Sequence, residues 1–228
     1  MSLYVIGDLH LSLGSNKPMD IFGAKWENYT DKIANEFSQL IPEDTIVLCG
    51  DTSWAMSLEE ARSDFAFIDS LPGRKIILKG NHDYWWTTAS KMDKYIKAEG
   101  FNTLSFLHNN SFSYDGVSIC GSRGWFFEEE TDNEHDIKMI NREVLRLKKS
   151  LSEAENEEKI VFLHYPPVYR DYVCKEIINV MTEYGVKKCY YGHIHGYGHK
   201  NAYTGNYMGI EFRMISADFI GFKPEKIQ

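Results

Sequence analysis

The stretch Lys75-Ile76-Ile77-Leu78-Lys79-Gly80-Asn81-His82-Asp83 joins two kinds of sequence. A short aliphatic run closed by glycine reads as a strand buried on both faces. The residues after the glycine carry an amide, an imidazole and a carboxylate. The same grammar recurs at 3–6 before Gly7, 45–49 before Gly50, 117–120 before Gly121, 159–163 before His164 and 188–191 before Gly192. Between these runs the apolar period lengthens to that of amphipathic helices. Residues 24–41 align Ile33, Phe37 and Leu40, and 57–71 align Leu58, Ala61, Phe65 and Ile68. Residues 133–154 align Ile137, Ile140, Val144, Leu147 and Leu151, and 171–184 align Val173, Ile177, Val180 and Tyr184. Ser57-Leu58-Glu59-Glu60 has the form of a capping box. Strand, helix, strand order over the first 80 residues predicts parallel pairing through crossover helices, hence an α/β fold. Beyond about residue 185 the helical period stops, and tyrosines among glycines suggest antiparallel strands.

The chain of 228 residues is long enough to bury a core without disulfides. With 43% hydrophobic and 25% charged residues it is neither disordered nor of low complexity. No linker-like tract divides it, so one domain over residues 1–228 is expected. Residues 124–158 could form a cap over the site or simply pack on a sheet flank. The acidic run Glu128-Glu129-Glu130-Thr131-Asp132 reads as a solvated helix entrance. The 25 basic against 33 acidic residues give a net charge of −8, which opposes non-specific binding to nucleic acid. No basic and apolar leader and no membrane-length apolar run is evident, so a cytoplasmic location is expected. Cys49, Cys120, Cys174 and Cys189 are widely spaced and read as reduced buried thiols.

In open α/β sheets ligands bind beyond the carboxyl ends of the strands. Those ends carry Asp8 and His10, Asp51, Asn81, His164, and His193 and His195. Carboxylate, neutral imidazole and amide oxygen form a borderline-hard donor set suited to Zn, Mn, Fe or Ni. Seven donors are too many for one tetrahedral ion, whereas two divalent ions sharing a carboxylate accommodate them. Such a pair holds a hydroxide for in-line attack on a phosphate ester.

The blocks Asp8-Leu9-His10, Gly50-Asp51, Gly80-Asn81-His82-Asp83, His164 and Gly192-His193-Ile194-His195 resemble, in order, those of the calcineurin-like metallophosphoesterase superfamily. The resemblance implies two packed mixed β-sheets forming a sandwich flanked by helices, in four layers. It implies that Asp8, His10, Asp51 and His195 hold one divalent metal ion and that Asp51, Asn81, His164 and His193 hold a second, with Asp51 as bridge. It also implies that His82 faces the substrate and protonates the leaving group or stabilises the transition state, with Asp83 orienting its ring. Arg123 could clamp a phosphate or serve as an ion-pair partner. Tyr165, Tyr197 and His199 adjoin ligands and could support them or touch substrate. Trp54, Tyr84, Trp85 and Trp86 could stack on a substrate ring or pack beneath the loops. His108 and His135 read as ordinary surface or loop histidines.

The expected function is hydrolysis of a phosphate mono- or diester of a small molecule. The alternatives are a non-catalytic scaffold on the same fold, which would be expected to have lost ligands, and a DNA nuclease of the superfamily, which the acidic balance opposes. The sequence leaves substrate, metal identity and oligomeric state open.

Overall fold

The computed structural model describes residues 1–126 and 133–228. Along the chain the elements are β1 (Leu3–Ile6), α1 (Tyr29–Phe37), β2 (Thr45–Cys49), α2 (Arg62–Ser70), β3 (Arg74–Leu78), α3 (Ala89–Glu99), β4 (Leu104–Leu107), β5 (Phe112–Tyr114) and β6 (Val117–Ser122). Then follow α4 (Asn133–Ser152), β7 (Glu158–Leu163), β8 (Val168–Tyr169), β9 (Tyr172–Val173), α5 (Lys175–Glu183), β10 (Lys188–Tyr191), β11 (Gly205–Tyr207), β12 (Ile210–Met214) and β13 (Glu225–Lys226).

Two mixed sheets result. One has the order β13-β1-β2-β3-β4, parallel throughout except for β13 at its edge. The other has the order β11-β12-β10-β7-β6-β5, with a parallel centre and antiparallel β11 and β5 at its edges. The C-terminal region is therefore less antiparallel than its tyrosine and glycine pattern suggests, since β10 and β12 lie parallel to one another and β10 to β7. Parallel neighbours need long crossovers. Between β10 and β12 a 3-10 turn over Gly196–Asn201 and β11 make the crossover without an α-helix.

Alternation along each central strand sorts its side chains into layers. Val47 and Cys49 of β2 face inward, where Leu3, Val5, Ile76 and Leu78 meet Val117, Ile119, Ile160 and Phe162 across the gap between the sheets. The opposite residues, Ile6, Ile46, Leu48 and Ile77, lie under α1, α2 and α3 with Ile33, Phe37, Phe65 and Met92. Val161, Leu163, Cys189 and Tyr191 likewise lie under α4 and α5 with Leu147, Leu151, Ile177 and Met181. Helix, sheet, sheet and helix stack in four layers. The four cysteines are buried and unpaired.

Local departures have local causes. The stretch 24–41 is helical only from Tyr29, after two 3-10 turns, because Asn28 takes a left-handed conformation (φ 51°). The Ser57 hydroxyl accepts from the Glu60 amide at 3.2 Å, but the Glu60 carboxylate accepts from Met56 N at 2.8 Å, so the box closes one residue early. Regular helix begins at Arg62. Ile137, aligned with the apolar face of its helix in sequence, is exposed, and burial starts at Met139 and Ile140. From there α4 packs on β6 and α5. The acidic run lies outside the described residues.

Candidate metal centre

The carboxyl ends of β1, β2 and β3 in one sheet and of β7 and β10 in the other open toward one another. Backbone bonds lace the loops together. Asp8 N donates to Gly50 O (2.9 Å), His10 N to Asp51 O (2.8 Å) and Gly192 N to His164 O (3.1 Å). Asp8, His10, Asp51 and His193 all have positive φ, at 59°, 47°, 48° and 74°. Four non-glycine residues held in the left-handed region in one place is backbone strain of the kind that clusters at functional sites. Glycine makes room for the carboxylates: a Cβ on Gly80 would overlap the side chain of Asp51, and one on Gly192 that of Asp8.

The donor atoms converge as two neighbouring groups, Asp8 with His10 and His195, and Asp51 with His164 and His193. In the first, His10 Nε2 and His195 Nε2 are 3.2 Å apart. That is close to the roughly 3.3 Å separating two nitrogens bound at 2.0–2.1 Å to one tetrahedral ion. In the second, Asn81 Oδ1 lies 2.6 Å from His164 Nε2 and 3.0 Å from His193 Nδ1. Asp51 Oδ2 stands between the groups, 3.7 Å from His10 Nε2 and 3.5 Å from His164 Nε2. The other Asp51 oxygen accepts from His82 N at 2.7 Å, and both oxygens of Asp8 accept from His193 N.

Electrostatics and donor chemistry fit cations at this place. Burial, reinforced by Asp83 and Asp8, pushes the Asp51 carboxyl well above its ordinary range, so a buried cation would relieve the carboxylates. Burial and the His195 charge hold His10 well below the ordinary histidine value, and burial and His193 do the same for His164. Both rings are therefore neutral and offer lone pairs. His10 Nδ1 is buried without a hydrogen-bond partner. His164 Nδ1 is fixed against Cys49 O at 3.1 Å, leaving Nε2 to face Asn81 and Asp51.

His195 is held by Asp218, which the sequence reading missed. Its Nδ1 lies 2.8 Å from Asp218 Oδ1, and His199 Nε2 lies 3.1 Å from Asp218 Oδ2. Burial would lower the His195 value, but hydrogen bonding to Asp218 and Asp8 outweighs it and pushes it up to about 10, so a cation bound here would displace the proton that His195 otherwise holds between these carboxylates. Burial alone would raise Asp218, yet His195 and His199 hold it below the usual carboxylate range. Asp218 follows a strand, as the other site carboxylates do, but no glycine or second donor type beside it marks it in the sequence. His199 thus supports His195 through Asp218.

The remaining candidates divide. His82 is half-buried, its ring 4.3 Å from that of Trp54 and its Nδ1 3.4 Å from the Tyr84 hydroxyl. Asp83 is buried beneath this loop. Its carboxylate accepts from Thr52 N, Ser53 N, Gly80 N and Trp85 Nε1, which ties the β2 and β3 loops together. Trp85 and Trp86 pack beneath, on Phe65 and Phe106. Tyr165 is buried with its ring 4.4 Å from that of His193, while Tyr197 is exposed. Arg123 lies over Trp125 and Tyr165 and 3.9 Å from the buried Glu143, so its guanidinium has an ion-pair partner. Its carbonyl accepts from His164 N and Tyr165 N. His108 is a half-buried loop residue against Trp86, and His135 is exposed on α4.

A family model described as calcineurin-like phosphoesterase matches residues 1–197. The chain is 24% identical over 208 residues to human tartrate-resistant acid phosphatase type 5, covering 75% of this chain and 63% of that protein. It spans less than two thirds of the length of that curated relative. Among solved structures, a phosphopantetheinyl hydrolase from Mycobacterium tuberculosis is similar in fold, with a TM-score of 0.56 at 13% identity over 99% of this chain and 95% of that one. A protein of unknown function from Aquifex aeolicus gives a TM-score of 0.52 at 18% identity over 99% and 95%.

Proposed function

From the premise that this chain belongs to the calcineurin-like phosphoesterase family, we propose that it hydrolyses a phosphate mono- or diester of a small molecule with the aid of two divalent cations. The observation that carries this reading is the convergence of seven donors from five loops as two adjacent groups with the Asp51 carboxylate between them. Asp8, His10, Asp51 and His195 would hold one ion, and Asp51, Asn81, His164 and His193 the other. When bound, such ions lower the pKa of water and offset charge on the phosphoryl group. Zn, Mn, Fe and Ni all suit the donor set.

The chain's own residues supply the rest. His82, which lines the cleft with its Nδ1 3.4 Å from the Tyr84 hydroxyl, would hold the proton for the departing oxygen. Asp83 keeps the loop under His82 in place through its four hydrogen bonds. The balance is that water adds to phosphorus, the bond from phosphorus to the leaving oxygen breaks, and that oxygen leaves as the alcohol. The test is reconstitution with Mn, Fe, Zn, Ni or Mg and assay on a panel of phosphomonoesters and phosphodiesters, with Asp51→Asn as control. Metal-dependent turnover lost in the variant is expected. Metal-loaded protein inert on the whole panel would defeat the proposal.

A further inference from the structure

On the side of His10, His82 and His195 the centre opens into a cleft of about 560 Å³. Among the described residues, the ionisable side chains lining it are His10, His82 and His195 of the centre, Asp218 and Lys25, and the Trp54 indole N–H is turned to Met19 Sδ at 3.1 Å. The rest is apolar, built from Met19, Phe22, Trp26 and Trp54. Among the described residues of this lining there is no Asn, Gln, Ser or Thr, the side chains whose amides and hydroxyls read base edges and sugar hydroxyls. At the rim, Ile21 and Phe22 stand side by side on a 3-10 turn and are 72% and 63% exposed. Large apolar side chains displayed together at the mouth of an apolar cleft are binding surface, unlike single scattered ones.

Because His82 lines this cleft, its occupant is the group attached to the oxygen that His82 protonates. We propose that the cleft receives the leaving alcohol of the ester and that this alcohol is apolar, not a nucleoside or a sugar; the proposal rests on the phosphoesterase reading above. An apolar phosphate ester and water give the apolar alcohol and inorganic phosphate. The alcohol's carbon skeleton lies along Trp54 and Phe22, while its oxygen takes the proton from His82.

The experiment uses the full chain loaded with Mn and a series of n-alkyl phosphates from propyl to decyl, whose leaving alcohols are nearly equal in acidity. A fully buried methylene is worth about a fourfold gain, so kcat/KM should climb by about two- to fourfold per carbon until the cleft is filled. Binding is read separately, by tryptophan fluorescence with octylphosphonate and methylphosphonate, neither of which can be hydrolysed. Octylphosphonate should bind at least a hundredfold more tightly, and Phe22→Ser should cut that ratio about tenfold. Hydrolysis that is indifferent to chain length, together with equal binding of the two phosphonates, overturns the apolar cleft and leaves the phosphoesterase reading standing. Tight, chain-length-dependent binding without hydrolysis of any ester does the reverse. Adenosine 5′-monophosphate turned over faster than octyl phosphate would also overturn the proposal.

Discussion

Individual side chains in the centre are distinguished by what holds them. His82 stands at the cleft beside Trp54 and belongs to neither donor group. His82→Ala should lower kcat by about 10²- to 10⁴-fold. KM and metal content should stay constant, as steady-state kinetics and metal analysis on the same preparation would show. Asp218 acts at one remove, fixing His195 so that its Nε2 faces His10 and Asp8. Outer partners of this kind are worth about 10- to 100-fold in metal affinity. Asp218→Asn should lose that much in a competition titration against a chelator while the fold, followed by circular dichroism, persists. The resemblance carried by Gly80-Asn81-His82-Asp83 points to His82. Sequence reading misses Asp218 because the partners that give Asp218 its role lie some 20 residues away.

Secondary elements were legible where one period dominates. The central strands β1, β2 and β10 coincide with their runs, which are buried almost throughout in β1 and β2 and at alternate residues in β10. The edge strand β5 went unread because it is short and half exposed, whereas the antiparallel pair β11 and β12 falls in the tyrosine- and glycine-rich region where such strands are expected. Strand β3 hides an exception. Lys75 is fully buried, its ammonium donating to Leu71 O and to Thr103 Oγ1. Burial, only partly offset by Asp69, pushes it down to about 8. Between about pH 8 and the ordinary lysine value near 10.4 the unfolded chain binds more protons than the folded one. Stability should therefore rise with pH across that window, by at most about 1.4 kcal/mol per unit, and this contribution should be flat below it. Urea unfolding at pH 8, 9 and 10 should show the rise in the parent protein and lose it in Lys75→Met.

At the scale of the molecule, the layer between the sheets binds the two halves of the centre together. Asp8, Asp51 and Asn81 extend from one sheet, and His164, His193 and His195 from the other. Phe162, fully buried, is part of that layer, with Val47 and Ile76 of one sheet and Ile119 and Ile160 of the other. Phe162→Ala should cost about 3–5 kcal/mol. If residues 1–228 form one domain, guanidinium unfolding followed by tryptophan fluorescence and by far-ultraviolet circular dichroism should give one coincident transition, shifted as a whole in the variant. Two separated transitions would divide the chain. Among the described residues no helix is long and apolar enough to cross a membrane.

The sequence by itself determined the strand runs, the parallel order of the first sheet and the chemical types of the donors, because each is written in residues adjacent in the chain. Tertiary structure alone decided the rest. It set the recruitment of Asp218 to His195, the four hydrogen bonds of the Asp83 carboxylate to the loops and the parallel course of β10 and β12. It also set the apolar cleft, whose walls come from residues 19–26 and from Trp54. The physical reason is that these features depend on distances between segments far apart in sequence, which are fixed when two sheets close on a shared apolar layer and not by any local period.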